Sequence, residues 1–172
     1  MLTISGTDPG KKGGVCVIDT GSHTVGFYQV ELKRNARDTK NAIDLVKLTN
    51  FLKPWGEINE AWVEEVNADP RWGKTSCFSF GESYGQVQGV FAGRGADVRA
   101  IRPQAWKGEL HVPADKALAV AMTERLFPCA RDAGIFHGPR GGLIDGPAEA
   151  GLIALYGVLH NGIKLTKPLT LV

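Results

Sequence analysis

Residues 2–14, LTISGTDPGKKGG, constrain the fold more than any other stretch. Leu2, Thr3 and Ile4 begin an apolar and β-branched run that predicts a buried strand. The run stops at Asp8, with Pro9 and Gly10 directly behind it. Proline cannot extend a β-ladder, and Gly10, Gly13 and Gly14 let backbone come close to whatever the Asp8 carboxylate faces. Lys11 and Lys12 add positive charge at the same strand mouth. The stretch suits a metal ion and a phosphate; taken alone, it also reads as a hairpin turn in which Asp8 caps its own backbone.

The 172 residues, 43% of them hydrophobic, predict a single domain spanning 1–172 with a full core. Cys16, Cys77 and Cys129 are odd in number and include no C-x-x-C pair, so neither a disulfide framework nor a zinc knuckle is expected, and a reducing cytoplasm is. No apolar run has the length of a membrane span, and no basic-then-apolar leader opens the chain. A formal charge of +2 neither requires nor excludes nucleic acid.

Residues 15–19 and 24–32 read as two further strands around a turn at Gly21, making a meander with the first. Lys33, Arg34, Arg37 and Lys40 follow as a basic connection, either a solvated loop or a phosphate contact. Apolar spacing predicts a helix over 41–53, ended by Pro54, then a strand over 61–66 and a helix over 76–93. A strand over 97–101, a strongly amphipathic helix over 115–127 and a very apolar one over 146–159 complete the order βββαβαβαα. Right-handed crossovers put the fourth and fifth strands parallel to the first and on one side of it. The expected fold is α/β, a mixed five-stranded sheet with helices on both faces.

That topology brings acids together. Asp8 ends the first strand, Glu64 and Glu65 lie in its expected parallel neighbour, and Asp145 and Glu149 sit one turn apart at the start of the last helix. Clustered carboxylates repel unless cations lie among them, and hard oxygen donors select Mg²⁺ or Mn²⁺. Two such ions about 3.5 to 4 Å apart serve phosphodiester hydrolysis.

Six segments then carry a resemblance: GTDPGKKGG, VEEVNA, FSFGESYGQVQG, RPQAWK, DKALAVAMTERLFP and DGPAEAGLIALYG. In this order they resemble the RuvC-type Holliday junction resolvases of the RNase H-like superfamily, nearest to the bacteriophage-type members. The resemblance implies a homodimer in the cytoplasm of a bacterial or phage-infected cell. It would cut opposing strands of a four-way junction symmetrically, leaving 5′-phosphate and 3′-hydroxyl ends. It also implies two Mg²⁺ ions, with Mn²⁺ able to substitute, held by Asp8, Glu64, Asp145 and Glu149, Asp8 bridging both. In the cellular enzymes the last two acids stand three apart and the second is Asp; here they stand four apart and the second is Glu. Lys107 and Lys116 match family positions that contact DNA phosphate, or are simply helix-surface lysines.

Other residues are read from their surroundings. Trp72, between Arg71 and Lys74 in NADPRWGKT, is placed to stack on an unpaired base or to fold back as a satellite of the core. Lys11, Lys12 and Arg140 complete the candidate DNA contacts. Gly81, Gly85 and Gly89 form a small-residue ridge that suits either a second copy of the chain or the protein's own sheet. The segment 131–143 is glycine-rich and expected to be mobile. His137 within it reads as a proton shuttle or, as loop histidines more often are, simply as solvated, and is left out of the catalytic set. His23, His111 and His160 read as structural and Trp55, Trp62 and Trp106 as packing. An actin or Hsp70-like ATPase would need a second phosphate turn in a second lobe. An RNase H acting on RNA/DNA hybrids and a non-catalytic junction-binding protein remain as alternatives.

Overall fold

The computed structural model describes residues 1–34, 41–68 and 70–172. Three antiparallel strands open the chain: β1 (Thr3–Asp8), β2 (Gly14–Asp19) and β3 (Thr24–Gln29). A two-stranded hairpin, β4 (Leu32–Arg34) with β5 (Asn41–Ile43), leads into α1 (Leu45–Leu52). Then come β6 (Glu60–Glu64), α2 (Lys74–Ala92), β7 (Asp97–Ile101), α3 (Pro103–Glu109), α4 (Lys116–Leu126), α5 (Pro128–Asp132), α6 (Asp145–His160) and β8 (Thr170–Leu171).

The sheet order is β7-β6-β1-β2-β3-β8, with β6 parallel to β1 and β7 parallel to β6. This is the expected mixed sheet with one correction: it has six strands, not five. β8 adds two residues parallel to the β3 edge, too short a pairing to leave any periodicity in the sequence.

Strand alternation sorts side chains into two cores. Ile4, Cys16, Ile18 and Trp62 face the layer built by α4, α5 and α6. Val15, Val17 and Ala61 face the layer of Leu48 and Leu52 from α1 and Val87 and Phe91 from α2. Helices thus cover both faces. Helix α6 lies so close to β1 that a Cβ on Gly6 would stand 2.1 Å from the Ala154 backbone nitrogen. A backbone bridge between Gly13 and Gly146 then ties the β1–β2 turn to the start of α6.

Several sequence expectations shift. The helix placed over 41–53 begins at Leu45, because the Asp44 carboxylate accepts from the Val46 and Lys47 N–H groups and caps it there. The strand placed over 24–32 ends at Gln29, and the basic connection lies partly in β4; Arg37 and Lys40 fall outside the described residues. Helix α4 is not strongly amphipathic: it buries Val120 and Thr123 but leaves Leu118 and Leu126 exposed. Within the segment 131–143, Phe136 is fully buried and His137 forms a backbone bridge with Leu143, while residues 139–143 are exposed.

Candidate active site

Asp8 closes β1 on the α6 side of the sheet, in the same parity as Ile4 and Gly6. Its Oδ1 accepts the Gly10 N–H at 3.0 Å, so the carboxylate does cap its own turn and is held still by it. Burial pushes its pKa up to about 6, opposed by the Gly10 hydrogen bond and reinforced by the negative charges of Glu149 and Asp145.

Thr7 pairs with Val63 across β1 and β6, which brings Glu64 alongside Asp8. Glu64 shares the parity of Trp62, so it faces α6 as Asp8 does. Its pKa is pushed up to about 7 by burial first, with Lys107 and the Trp106 hydrogen bond pulling it down and Glu149 and Asp8 pushing it up. Glu65 turns away: its carboxylate lies 3.4 Å from Arg102 Nε, and its charge acts on Tyr84 of α2.

The start of α6 supplies Asp145 in its first turn and Glu149 one turn on. Lys107 Nζ donates to Glu149 Oε1 at 2.8 Å, and Lys116 donates to Asp145. The hydrogen bond from Lys116 holds the Asp145 carboxyl below the usual range. This pairing accounts for a lysine at the first position of α4, where the helix dipole disfavours a cation.

These two lysines supply the positive charge among the acids. Among the described residues, no group of three or more His, Cys, Asp or Glu closes tightly enough to hold a metal ion as it stands. The donor set nonetheless fits a hard divalent cation. Four carboxylates from three elements lie close together: Asp8 feels the charges of Glu149 and Asp145, and Glu64 feels those of Glu149 and Asp8. Burial first, then these neighbours, push Asp8 and Glu64 toward neutrality, a cost that a bound cation would offset.

Two cavities meet at this rim. A cleft of about 750 Å³ is lined by Asp8, Lys11, Lys12, Lys116, Asp145 and Glu149, with Phe80 of α2 on its far wall. A second, of about 380 Å³, lies behind Lys107 and Lys116 between α3, α4 and α6. Trp72 is 43% exposed and packs edge-on against Phe80 with ring centroids 5.5 Å apart. It is therefore one ring from the cleft rather than in the core. Arg71 and Lys74 flank it on the surface, and Arg140 is exposed but lines neither cavity.

The remaining readings resolve on geometry. A Cβ on Gly81, Gly85 or Gly89 meets nothing within 4 Å, so the ridge faces outward, not onto the sheet, beside an exposed Phe78. His137 is not merely solvated, since its Nε2 lies 2.7 Å from Glu124 Oε1. His160 stacks on Tyr156, and Trp55 and Trp62 pack as expected. Trp106 does more than pack: its indole N–H donates to Glu64 Oε2 at 2.9 Å. The signal that could have found it is general, because a buried indole N–H needs an acceptor.

No protein-family model and no curated protein matches the chain. Solved structures do. The chain is similar to T. thermophilus RuvC in complex with a Holliday junction substrate, with a TM-score of 0.61 and 18% identity over 98% of this chain and 100% of that one. It is also similar to a second Thermus thermophilus RuvC structure, with a TM-score of 0.54 and 19% identity over the same shares of each chain. The mixed sheet, the helices on both faces and the full-length superposition agree: this chain has the RuvC fold, an RNase H-like α/β architecture.

Proposed function

We propose that the protein is a metal-dependent, structure-selective endonuclease that resolves four-way and related branched DNA junctions. The observation that carries this reading is the convergence of Asp8, Glu64, Asp145 and Glu149, three of which (Asp8, Asp145 and Glu149) line a lysine-bearing cleft, on a fold shared with a protein solved with junction DNA. Those four carboxylates would hold two Mg²⁺ ions, or Mn²⁺ in their place. Such ions, when bound, lower the pKa of the attacking water and stabilise the leaving oxygen.

The chain's own groups supply the rest. The Gly10 N–H fixes Asp8 in one rotamer before substrate arrives. Lys11 and Lys12 hold phosphate oxygens along the cleft, while Lys107 and Lys116 pair with Glu149 and Asp145 and hold those carboxylates in place. Trp72 stacks on a base unpaired at the junction centre, with Arg71, Lys74 and Arg140 on the flanking backbone. A second copy docks through the outward face of α2, where Gly81, Gly85 and Gly89 permit close backbone approach, giving two sites for two opposing strands.

The test uses labelled four-way junction, linear duplex and RNA/DNA hybrid, each with and without Mg²⁺. The reading expects cuts confined to the junction and dependent on the cation. Cleavage of the RNA strand of the hybrid would replace it with an RNase H activity, and junction binding without turnover in any metal would make the protein a binding module.

A further inference from the structure

Trp106 is fully buried on α3, the short helix that follows β7. Its indole N–H donates to Glu64 Oε2 at 2.9 Å. Its ring face carries the Lys107 ammonium 4.9 Å from the centroid, and that ammonium donates to Glu149 Oε1 at 2.8 Å. One side chain thus links Glu64 on β6 to Glu149 on α6 through the lysine between them.

We propose that Trp106 is a positioning residue for the carboxylate cluster, with its N–H fixing the Glu64 rotamer and its ring fixing the ammonium that braces Glu149. Two features favour this over plain packing. A phenylalanine would fill an apolar site with no polar atom to satisfy, whereas this N–H is spent on an acid of the cluster. The residue next in sequence, Lys107, uses the same ring, so a shift of the indole moves both arms together. The proposal rests on reading the four carboxylates as divalent-cation ligands. Partners that orient a metal's ligands are worth about 10- to 100-fold in affinity when removed.

Trp106→Phe keeps a ring in place and removes the N–H. Calorimetric titration of the folded variant with Mn²⁺ alone should show affinity reduced about 10- to 100-fold, with kcat at saturating junction falling and KM for junction unchanged. In a Glu64→Gln background the same change should shift Mn²⁺ affinity by less than twofold, because the arm it supports is already gone. A second measurement needs no Trp106 variant: among the indole resonances of the four tryptophans, that of Trp106 should resist hydrogen exchange, move on adding Mg²⁺, and lose its protection in Glu64→Ala. Wild-type Mn²⁺ affinity in Trp106→Phe, an equal loss in the Glu64→Gln background, or a Trp106 resonance that ignores Mg²⁺ would each overturn the proposal. If the wild-type protein itself binds no Mn²⁺, the cation reading fails and the positioning role falls with it.

Discussion

Replacing Asp8 with asparagine should make the metal-free protein more stable while abolishing cleavage. In the unfolded chain the carboxyl ionises near 3.8 and in the folded protein near 6. Between those values the folded state binds more protons, so the stability due to Asp8 is full below pH 3.8 and is lost as pH rises through 6. That difference corresponds to about 3 kcal/mol at high pH. Asparagine carries no charge and keeps an oxygen to accept the Gly10 N–H. In EDTA at pH 8, Asp8→Asn should therefore exceed the wild type by up to about 3 kcal/mol, on the order of 10 °C in melting temperature for a chain of this length. At pH 4 the gap should shrink to under about 1 kcal/mol. Mg²⁺ at about 100 times its Kd should raise the wild type by about 2.7 kcal/mol and leave the variant nearly unmoved. Thermal melts from pH 4 to 8, with EDTA and with Mg²⁺, read all of this directly. A variant no more stable than the wild type at pH 8, or a gap constant across pH, would refute the reasoning.

Glu64→Gln should be inactive and Glu65→Gln active in a junction-cleavage assay, because only Glu64 shares the Asp8 face while Glu65 faces Arg102. Trp72→Ala should cut an intact junction at least tenfold more slowly, since stacking on one base is worth about 1 to 3 kcal/mol; it should act almost normally when unpaired bases are built into the centre. Gly85→Arg, placed where a side chain meets nothing in the protomer, should leave helix content unchanged and convert a sedimenting dimer into a monomer.

Much of the architecture was legible because it depends on patterns longer than a turn. The β7 boundaries, 97–101, match the reading from sequence, and the helices placed over 115–127 and 146–159 differ from α4 and α6 by a residue at each end. That only one of Glu64 and Glu65 can face Asp8 followed from strand parity; the choice of Glu64 came from the resemblance, and the β1–β6 register agrees with it. What escaped was short or dependent on tertiary partners. β8 pairs two residues, α3 runs seven from Pro103 with only Trp106 buried, and the spacing that includes Ile43 mimics a helix until Asp44 caps the real one. The bonds from Lys107 to Glu149 and from Trp106 to Glu64 each span 42 positions, which no local spacing can report.

The most direct test of the central claim maps both cut strands of a labelled four-way junction at nucleotide resolution, with wild-type protein and Asp8→Asn, in Mg²⁺ and in EDTA. Paired cuts at symmetrical positions on opposing strands, resealed by ligase and present only for wild type in Mg²⁺, are the predicted result. An uncut junction in both Mg²⁺ and Mn²⁺, or equal cutting by Asp8→Asn, would contradict it.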